Sequence, residues 1–524
     1  MSLKNLISVS AGVVGLIAAG ASMASTSINA VTAQYDVSGS TALDKQLHTL
    51  LTNTTNGPCA SIQEILTDIS SANAAPVASL SGAHQFVVVC TSRTALGTVP
   101  AGTLIAIDKE SNGGSYEGTG PVADGTALQF IDVSKALTCT GASGIGFGGF
   151  TQVDGCPTTA LAPTFGVADE DPTVFTVGVV VTAAERAKLN TIPLFQNEFG
   201  IGVSLDLYRT LQKVQGLTVG SDTLANMPTL THQQIAALMS GTAIDWSSII
   251  DSAGHSIVTD AAVAPSSTAV FFCKRPQSSG TNAGADIYFL HNRCTGPTEF
   301  LPMAAASTVS TNCKGLLTVA NQNTPETGGC AWQASNITDA VFPGAGTGDD
   351  VNCLTAHDKL GQWAFAYLGG STGFDDAGGA GGVADTNATA VARFRFVAID
   401  GHKPTLEGLI NGTYDYAFDN VLNEPLTISA SGSALASLFQ SVMQTQLVST
   451  LISTESNSGD ANFAVGGLLD AINVPGLAFT AAPVKTTAQV LAAPVSAFTF
   501  SAGGAVNDCQ VPVDAGTMLT SEAL

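Results

Sequence analysis

Apolar runs and helically spaced stretches take turns along this chain. The runs "HQFVVVC" (84–90), "GTLIAID" (102–108), "TVFTVGVVV" (173–181), "GIGVSLDLY" (200–208), "TAVFFCK" (268–274), "WAFAYL" (363–368) and "RFRFVAID" (393–400) have the length and side-chain types of buried strands. Between them, "ALDKQLHTLLTN" (42–53), "THQQIAALMSG" (231–241) and "GTNAGADIYFLHN" (280–292) space apolar residues as on one helix face. This alternation predicts α/β domains built on parallel or mixed sheets. The sequence shows no internal repeat and no heptads. Two Gly-rich, Cys-flanked segments, 139–156 and 294–353, read as surface insertions. Residues 456–524, rich in Ala, Val and Pro, read as a C-terminal extension.

The 524 residues leave room for two or more domains with ample core. Apolar residues make up 45% and are spread throughout, so the low charged fraction of 11% does not signal disorder. Only 18 Lys and Arg stand against 41 Asp and Glu, a net charge of −23. That balance argues against nucleic acid and anionic membranes as partners. A small anion stays open, because local N–H groups and dipoles hold one whatever the net charge. Lys4, the apolar stretch after it and the small residues around Ala24 have the order of a secretory signal over 1–24. No cysteine follows it as a lipid attachment point. No later run is long enough to span a membrane, so no membrane insertion is expected after signal removal.

The cysteines number 10, with no C-x-x-C pair, which excludes zinc-ribbon and thioredoxin readings. In an exported chain they read as disulfides. Sequence leaves the pairing open; Cys139 with Cys156 and Cys330 with Cys353 are the expected pairs, each closing a Gly-rich loop. "GIGFGG" (144–149) lacks the strand–turn–helix context of a nucleotide loop and reads as part of such a closed loop. No P-loop lysine motif and no G-x-S-x-G elbow occurs. The histidines are scattered without metal-ligand spacing; His232 and His402 are expected at exposed helix or turn positions. "DEDP" (169–172) has the makings of a weak calcium site, but a solvated turn before a strand accounts better for most of its charges.

The candidate chemistry lies in "KRPQSSGTN" (274–282). A scarce arginine, Arg275, precedes Ser279-Gly280-Thr281, where a predicted strand gives way to a predicted helix. Helix starts offer free N–H groups and a positive dipole end. Glycine permits close approach, hydroxyls add donors, and the guanidinium offers a charged fork. Ser38, Gly39, Ser40 and Thr41 repeat the design at a second helix start. Each loop alone reads as ordinary N-capping; a site for a tetrahedral oxyanion is the alternative that helix-terminus chemistry offers, and the order of the two loops within a family pattern is what favours it.

Five segments, in order, resemble the phosphate-binding proteins that serve as extracytoplasmic receptors of phosphate ABC transporters. "VSGSTALDKQL" (37–47) is similar to the opening Ser/Thr-Gly loop of that family, and "TFGVADEDP" (164–172) to its "FGASD" segment, with Asp169 in the acidic position. "LTHQQIAALMSGTAIDWSSI" (230–249), "KRPQSSGTN" and "FVAIDGHKPTLEGLINGTYDYAF" (396–418) follow in family order. "SNGGSYEGTG" (111–120) lies where the family places a ligand-contacting serine, here Ser115. The resemblance implies an α/β fold of two lobes with a hinge and a ligand cleft: 25–203 as the first part of lobe 1, 204–395 as lobe 2, and 396–524 as the rest of lobe 1 with the extension. It implies periplasmic or extracellular binding of inorganic phosphate or a similar oxyanion, without catalysis or cofactor, with an ABC permease as partner. The site set is Ser38, Gly39, Ser40, Thr41, Ser115, Asp169, Arg275, Gln277, Ser279, Gly280 and Thr281. Many family members carry Asp two residues after the arginine; Gln277 stands here and leaves selectivity against sulfate open. The rival readings are a surface or structural protein on the same scaffold, and a phosphatase that reuses the cleft.

Overall fold

The computed structural model describes residues 31–69, 85–133, 138–146, 149–176, 178–291, 341–344, 346–370, 393–405, 408–409, 412–443, 468–470, 498–500, 506–509 and 513–514. The chain opens with β1 (Ala33–Gly39), α1 (Asp44–Thr52), β2 (Cys59–Thr67), β3 (Gln85–Ser92) and β4 (Leu104–Glu110). A 3-10 turn (Gly114–Gly118) leads into α2 (Gly120–Asp124), β5 (Leu128–Phe130), β6 (Ser143–Ile145), β7 (Thr151–Val153), β8 (Thr159–Leu161) and β9 (Phe165–Ala168). After α3 (Ala183–Arg186) comes the long β10 (Leu189–Ser204), then α4 (Leu205–Val214), β11 (Thr229–Leu230), α5 (His232–Met239), β12 (Ser267–Lys274) and α6 (Gly280–Leu290). The last part holds β13 (Val341–Pro343), α7 (Thr347–Lys359), β14 (Gln362–Gly369), β15 (Phe394–Ile399), β16 (Ala417–Pro425), α8 (Ala430–Val442) and β17 (Leu468–Asp470).

Most strands form one mixed, hydrogen-bonded path, β13-β12-β14-β10-β16-β9-β1-β4-β3-β2-β7-β6, which β10 divides, with β11, β15 and β17 joined at its side and β5 paired with β8 apart from it. Its first part, Leu189 to Glu198, pairs antiparallel with β16. Its second part, from Phe199 on, pairs with β14 and β15. One strand thus belongs to two sheets, and each sheet carries a lobe of the α/β fold. The first lobe centres on β1, flanked in parallel by β4 and β9. The second centres on β14, which runs parallel to β12 and antiparallel to β10. Buried runs such as Phe86–Cys90 and Trp363–Leu368 explain the all-apolar strands: both faces are covered. Among the described residues no helix is long and apolar enough to cross a membrane.

Several expectations need correction. "TVFTVGVVV" is not a strand. Asp171 caps a 3-10 turn (Pro172–Val174) by accepting the Thr173 N–H, and Pro172 fixes its start. "GIGVSLDLY" divides, with β10 ending at Ser204 and α4 beginning at Leu205. "DEDP" is no solvated turn: Asp169, Glu170 and Asp171 are all buried. His232 is half-buried at the start of α5, where its Nε2 meets the Tyr288 carbonyl at 2.7 Å; His402 is exposed, as expected. Cys139 pairs with Cys156, as expected, but Cys353 pairs with Cys273 and not with Cys330, which lies outside the described residues. The reason is packing: α7 lies against β12 and β14, so residues 347–353 belong to the core and not to an insertion. A third bridge joins Cys59 to Cys90 across β2 and β3, and Cys509 is disulfide-bonded as well. Parts of the C-terminal extension are built in: β17 pairs with β10, and Phe500 joins the main core.

Candidate functional site

Two neighbouring strands of the first lobe end at the same place. In the parallel register of β1 and β9, Gly39 faces Val167, and the Ser40 N–H donates to the Val167 carbonyl at 3.0 Å. Gly39 has φ +113°, and a Cβ there would overlap that carbonyl, so only glycine lets the two strand ends lie this close. Ser40 and Asp169 therefore leave their strands side by side, and the Ser40 hydroxyl donates to Asp169 Oδ1. Ser40 Oγ also accepts the Leu43 N–H at 3.3 Å, which starts α1. Ser115, in the 3-10 turn, accepts the Asp169 N–H at 3.1 Å.

The second lobe supplies the cation. Arg275 follows β12 and is 1% exposed. Its guanidinium donates to Thr41 Oγ1 of the first lobe at 3.1 Å and to Thr347 Oγ1, at the first residue of α7, at 3.3 Å. Thr281, in the first turn of α6, donates to Asp169 Oδ2 at 3.4 Å. The Tyr116 N–H donates to the Ser278 carbonyl at 2.9 Å and joins the two lobes at the rim. A Cβ on Gly280 would overlap the Glu170 carboxylate and press on Ser115 Oγ, so this glycine lets α6 approach the first lobe. Three helix starts, those of α1, α6 and α7, thus meet around one guanidinium and one carboxylate. The capping alternative fails for Ser279: it is the N-cap of α6, yet its side chain makes no capping bond.

Burial pushes the Asp169 carboxyl up, while Ser40, Ser115, the Arg275 charge and the Thr281 N–H pull it down. These donors are what a buried carboxylate needs to hold a charge. Glu170 next to it is 0% exposed, and neither oxygen has a hydrogen-bond partner among the described residues. Its pKa is pushed well up by burial and by the neighbouring Asp169, Asp508 and Asp171 charges. Asp508, from the C-terminal extension, exchanges hydrogen bonds with Asp171 in both directions, at 2.6 and 2.7 Å.

Of the sequence-predicted residues, Gly39, Ser40, Thr41, Ser115, Asp169, Arg275, Ser279, Gly280 and Thr281 come together here. Ser38 is buried but turned aside, donating to the Glu117 carbonyl at 2.7 Å. Gln277 is half-buried; its Oε1 accepts from Asn282 Nδ2 at 3.2 Å and its stem lies on Gly178. Sequence reasoning missed Thr347, Glu170 and Lys109. A lysine inside the apolar strand "LIAIDKE" is the available signal for Lys109; Thr347 lies in a segment that reads as an insertion and carries no signal. It also missed Asp251, His255 and Asp260, whose ligand atoms lie within 4.8 Å of one another on a turn. Asp251 Oδ1 there already accepts the Ala253 and His255 N–H groups. Cys273, Cys353 and His357 also cluster, but the two sulfurs are bonded to each other.

No protein-family model matches this chain, and no curated protein does. Solved structures of similar shape include a Clostridium perfringens protein described as a phosphate ABC transporter substrate-binding protein with bound phosphate. It is 12% identical, covers 80% of this chain and 97% of its own, and has a TM-score of 0.37. An ABC-type phosphate transport receptor from Vibrio cholerae is 12% identical over 55% of this chain and 77% of its own, with a TM-score of 0.28. PstS from Borrelia burgdorferi is 8% identical over 80% and 96%, with a TM-score of 0.31. Likenesses this distant carry no argument about the ligand, which rests on the residues above.

Proposed function

We propose that the protein binds a tetrahedral oxyanion, with inorganic phosphate as the leading candidate, between its two lobes and without catalysis. The observation that carries this reading is Arg275: a fully buried guanidinium spanning Thr41 of one lobe and Thr347 of the other, at the convergence of three helix starts. A guanidinium fork beside helix N-termini and small hydroxyls is chemistry suited to several anion oxygens at once. Asp169 adds selectivity. As a carboxylate it accepts the O–H of a protonated phosphate and repels sulfate, which has no proton to give. Delivery to a membrane permease outside the cytoplasm is the role that goes with such a site. The three disulfides resolved pair by pair accord with an oxidising compartment.

Calorimetry of the purified, dialysed chain with phosphate and with sulfate tests the reading, together with native mass spectrometry for a co-purified anion. Saturable phosphate binding at one site, tighter than sulfate, is the expected result. Absence of binding by either anion, or steady phosphate release from an aryl phosphate ester, would overturn it.

A further inference from the structure

Lys109 lies near the end of β4, 1% exposed, in the register position opposite Val37 of β1. Its ammonium donates to the Gly39 carbonyl at 2.8 Å, the Ser40 carbonyl at 3.2 Å and the Glu110 carbonyl at 3.0 Å. It also forms a 3.0 Å ion pair with Asp44, the first residue of α1, whose other oxygen accepts from Ser111 Oγ at 2.8 Å. A buried ammonium with this many acceptors is fixed in place, and it fixes what it touches.

The geometry of the trans peptide turns that contact into a direction. In each peptide unit the C=O and N–H point opposite ways. The Gly39–Ser40 unit gives its oxygen to Lys109 and its N–H to the Val167 carbonyl. The Ser40–Thr41 unit likewise gives its oxygen to Lys109, so the Thr41 N–H points away from the lysine. The hydroxyl of the same residue meets Arg275. No protein acceptor for the Thr41 N–H is found among the described residues. We propose that Lys109 is a positioning residue of the anion site: it clamps the 39–41 turn from behind, so that the Thr41 N–H is presented to a bound oxyanion beside Arg275. This rests on the oxyanion reading and names a residue that sets its affinity without touching the ligand.

The test uses the full chain, inorganic phosphate, and threonine amides labelled with ¹⁵N. In the unsubstituted chain, phosphate should move the Thr41 amide proton downfield. Lys109→Met keeps the length of the side chain and removes every donor. It should bind phosphate about tenfold more weakly or worse, the worth of one N–H bond to a charged acceptor, and its Thr41 amide should no longer respond. A folded Lys109→Met chain with unchanged affinity, or with a Thr41 amide that still responds, overturns the inference and leaves the oxyanion reading standing. Failure of the unsubstituted chain to bind phosphate overturns both. Should Lys109→Met not fold, Lys109→Gln is measured in its place: weakened binding with a silent Thr41 amide supports the inference, and unchanged affinity or a responsive amide overturns it.

Discussion

Arg275 is the residue on which the anion reading depends most, and truncating it is the sharpest single test. Arg275→Ala removes a buried, charge-assisted fork and leaves Thr41 and Thr347 without their common donor. The expected loss is about 2–5 kcal/mol of phosphate binding. Arg275→Lys should recover only part of it, because an ammonium cannot span two acceptors as a planar fork does. Calorimetry on variants whose melting curves show a folded chain decides the matter; unchanged affinity in Arg275→Ala would place the ligand elsewhere. At this scale the sequence is legible where residue type is scarce or its order distinctive. Arg275 stands out among few cations, and Asp169 by its place in "TFGVADEDP". Glu170 is not legible, because an acidic run looks the same in solvent as in a core. Gln277 reads from the sequence as facing the ligand, and its bond to Asn282 points its amide oxygen along α6 instead.

Two elements hold the second-lobe half of the site in register, and a covalent link fixes them. Cys273 is two residues before Arg275, and Cys353 is six residues after Thr347, so their disulfide ties the end of β12 to α7. The bridge closes a sequence separation of 80, where loop-closure arguments give a stabilisation of about 4.5 kcal/mol. Replacing both cysteines by Ala should therefore lower stability and also weaken phosphate binding, because Arg275 and Thr347 lose their fixed spacing. Removing Cys139–Cys156, which closes a separation of 17, should lower stability by about 3 kcal/mol and leave affinity unchanged. Paired melts and titrations separate the two; equal effects on affinity would show that the Cys273–Cys353 link has no part in the site. The periodic helices and apolar strands are readable in advance because burial on both faces leaves long apolar runs. What is not readable comes from long-range pairing. The Cys273–Cys353 partner choice, the membership of α7 in the core and the docking of Asp508 against Asp171 each join positions far apart in sequence.

The whole molecule carries an unusual load of buried acid, and that load predicts how stability depends on pH. Burial raises Asp286 to about 7, against the pull of Lys274 and Asn282. Burial and the neighbouring Glu117 raise Glu110 to about 10. Asp108, Glu170, Glu198, Asp350 and Asp508 are pushed well above the usual carboxylate range, first by burial in each case. In the unfolded chain all of these ionise near pH 4. Above that, the folded state binds more protons than the unfolded one, so their contribution falls as pH rises. His48 and His357 act in the opposite sense. Burial lowers each to about 4, so they add stability as pH climbs through the ordinary histidine range, with about 0.4 kcal/mol each still to come above pH 6.5. Between pH 6.5 and 8.5 the carboxylates dominate, against the histidine remainder and the lowered Lys274 and Lys359, which act in the histidines' sense. Asp286 alone should cost roughly 1 kcal/mol over that window, and a group that stays protonated throughout, such as Glu110, up to about 2–3 kcal/mol. Melting temperature at fixed ionic strength should therefore drop by several degrees from pH 6.5 to 8.5. Asp286→Asn, which removes the proton exchange while keeping the shape, should flatten part of that slope. A melting temperature that holds level or rises across the window would mean that these carboxyls are charged in the folded protein, and that water or an ion reaches them.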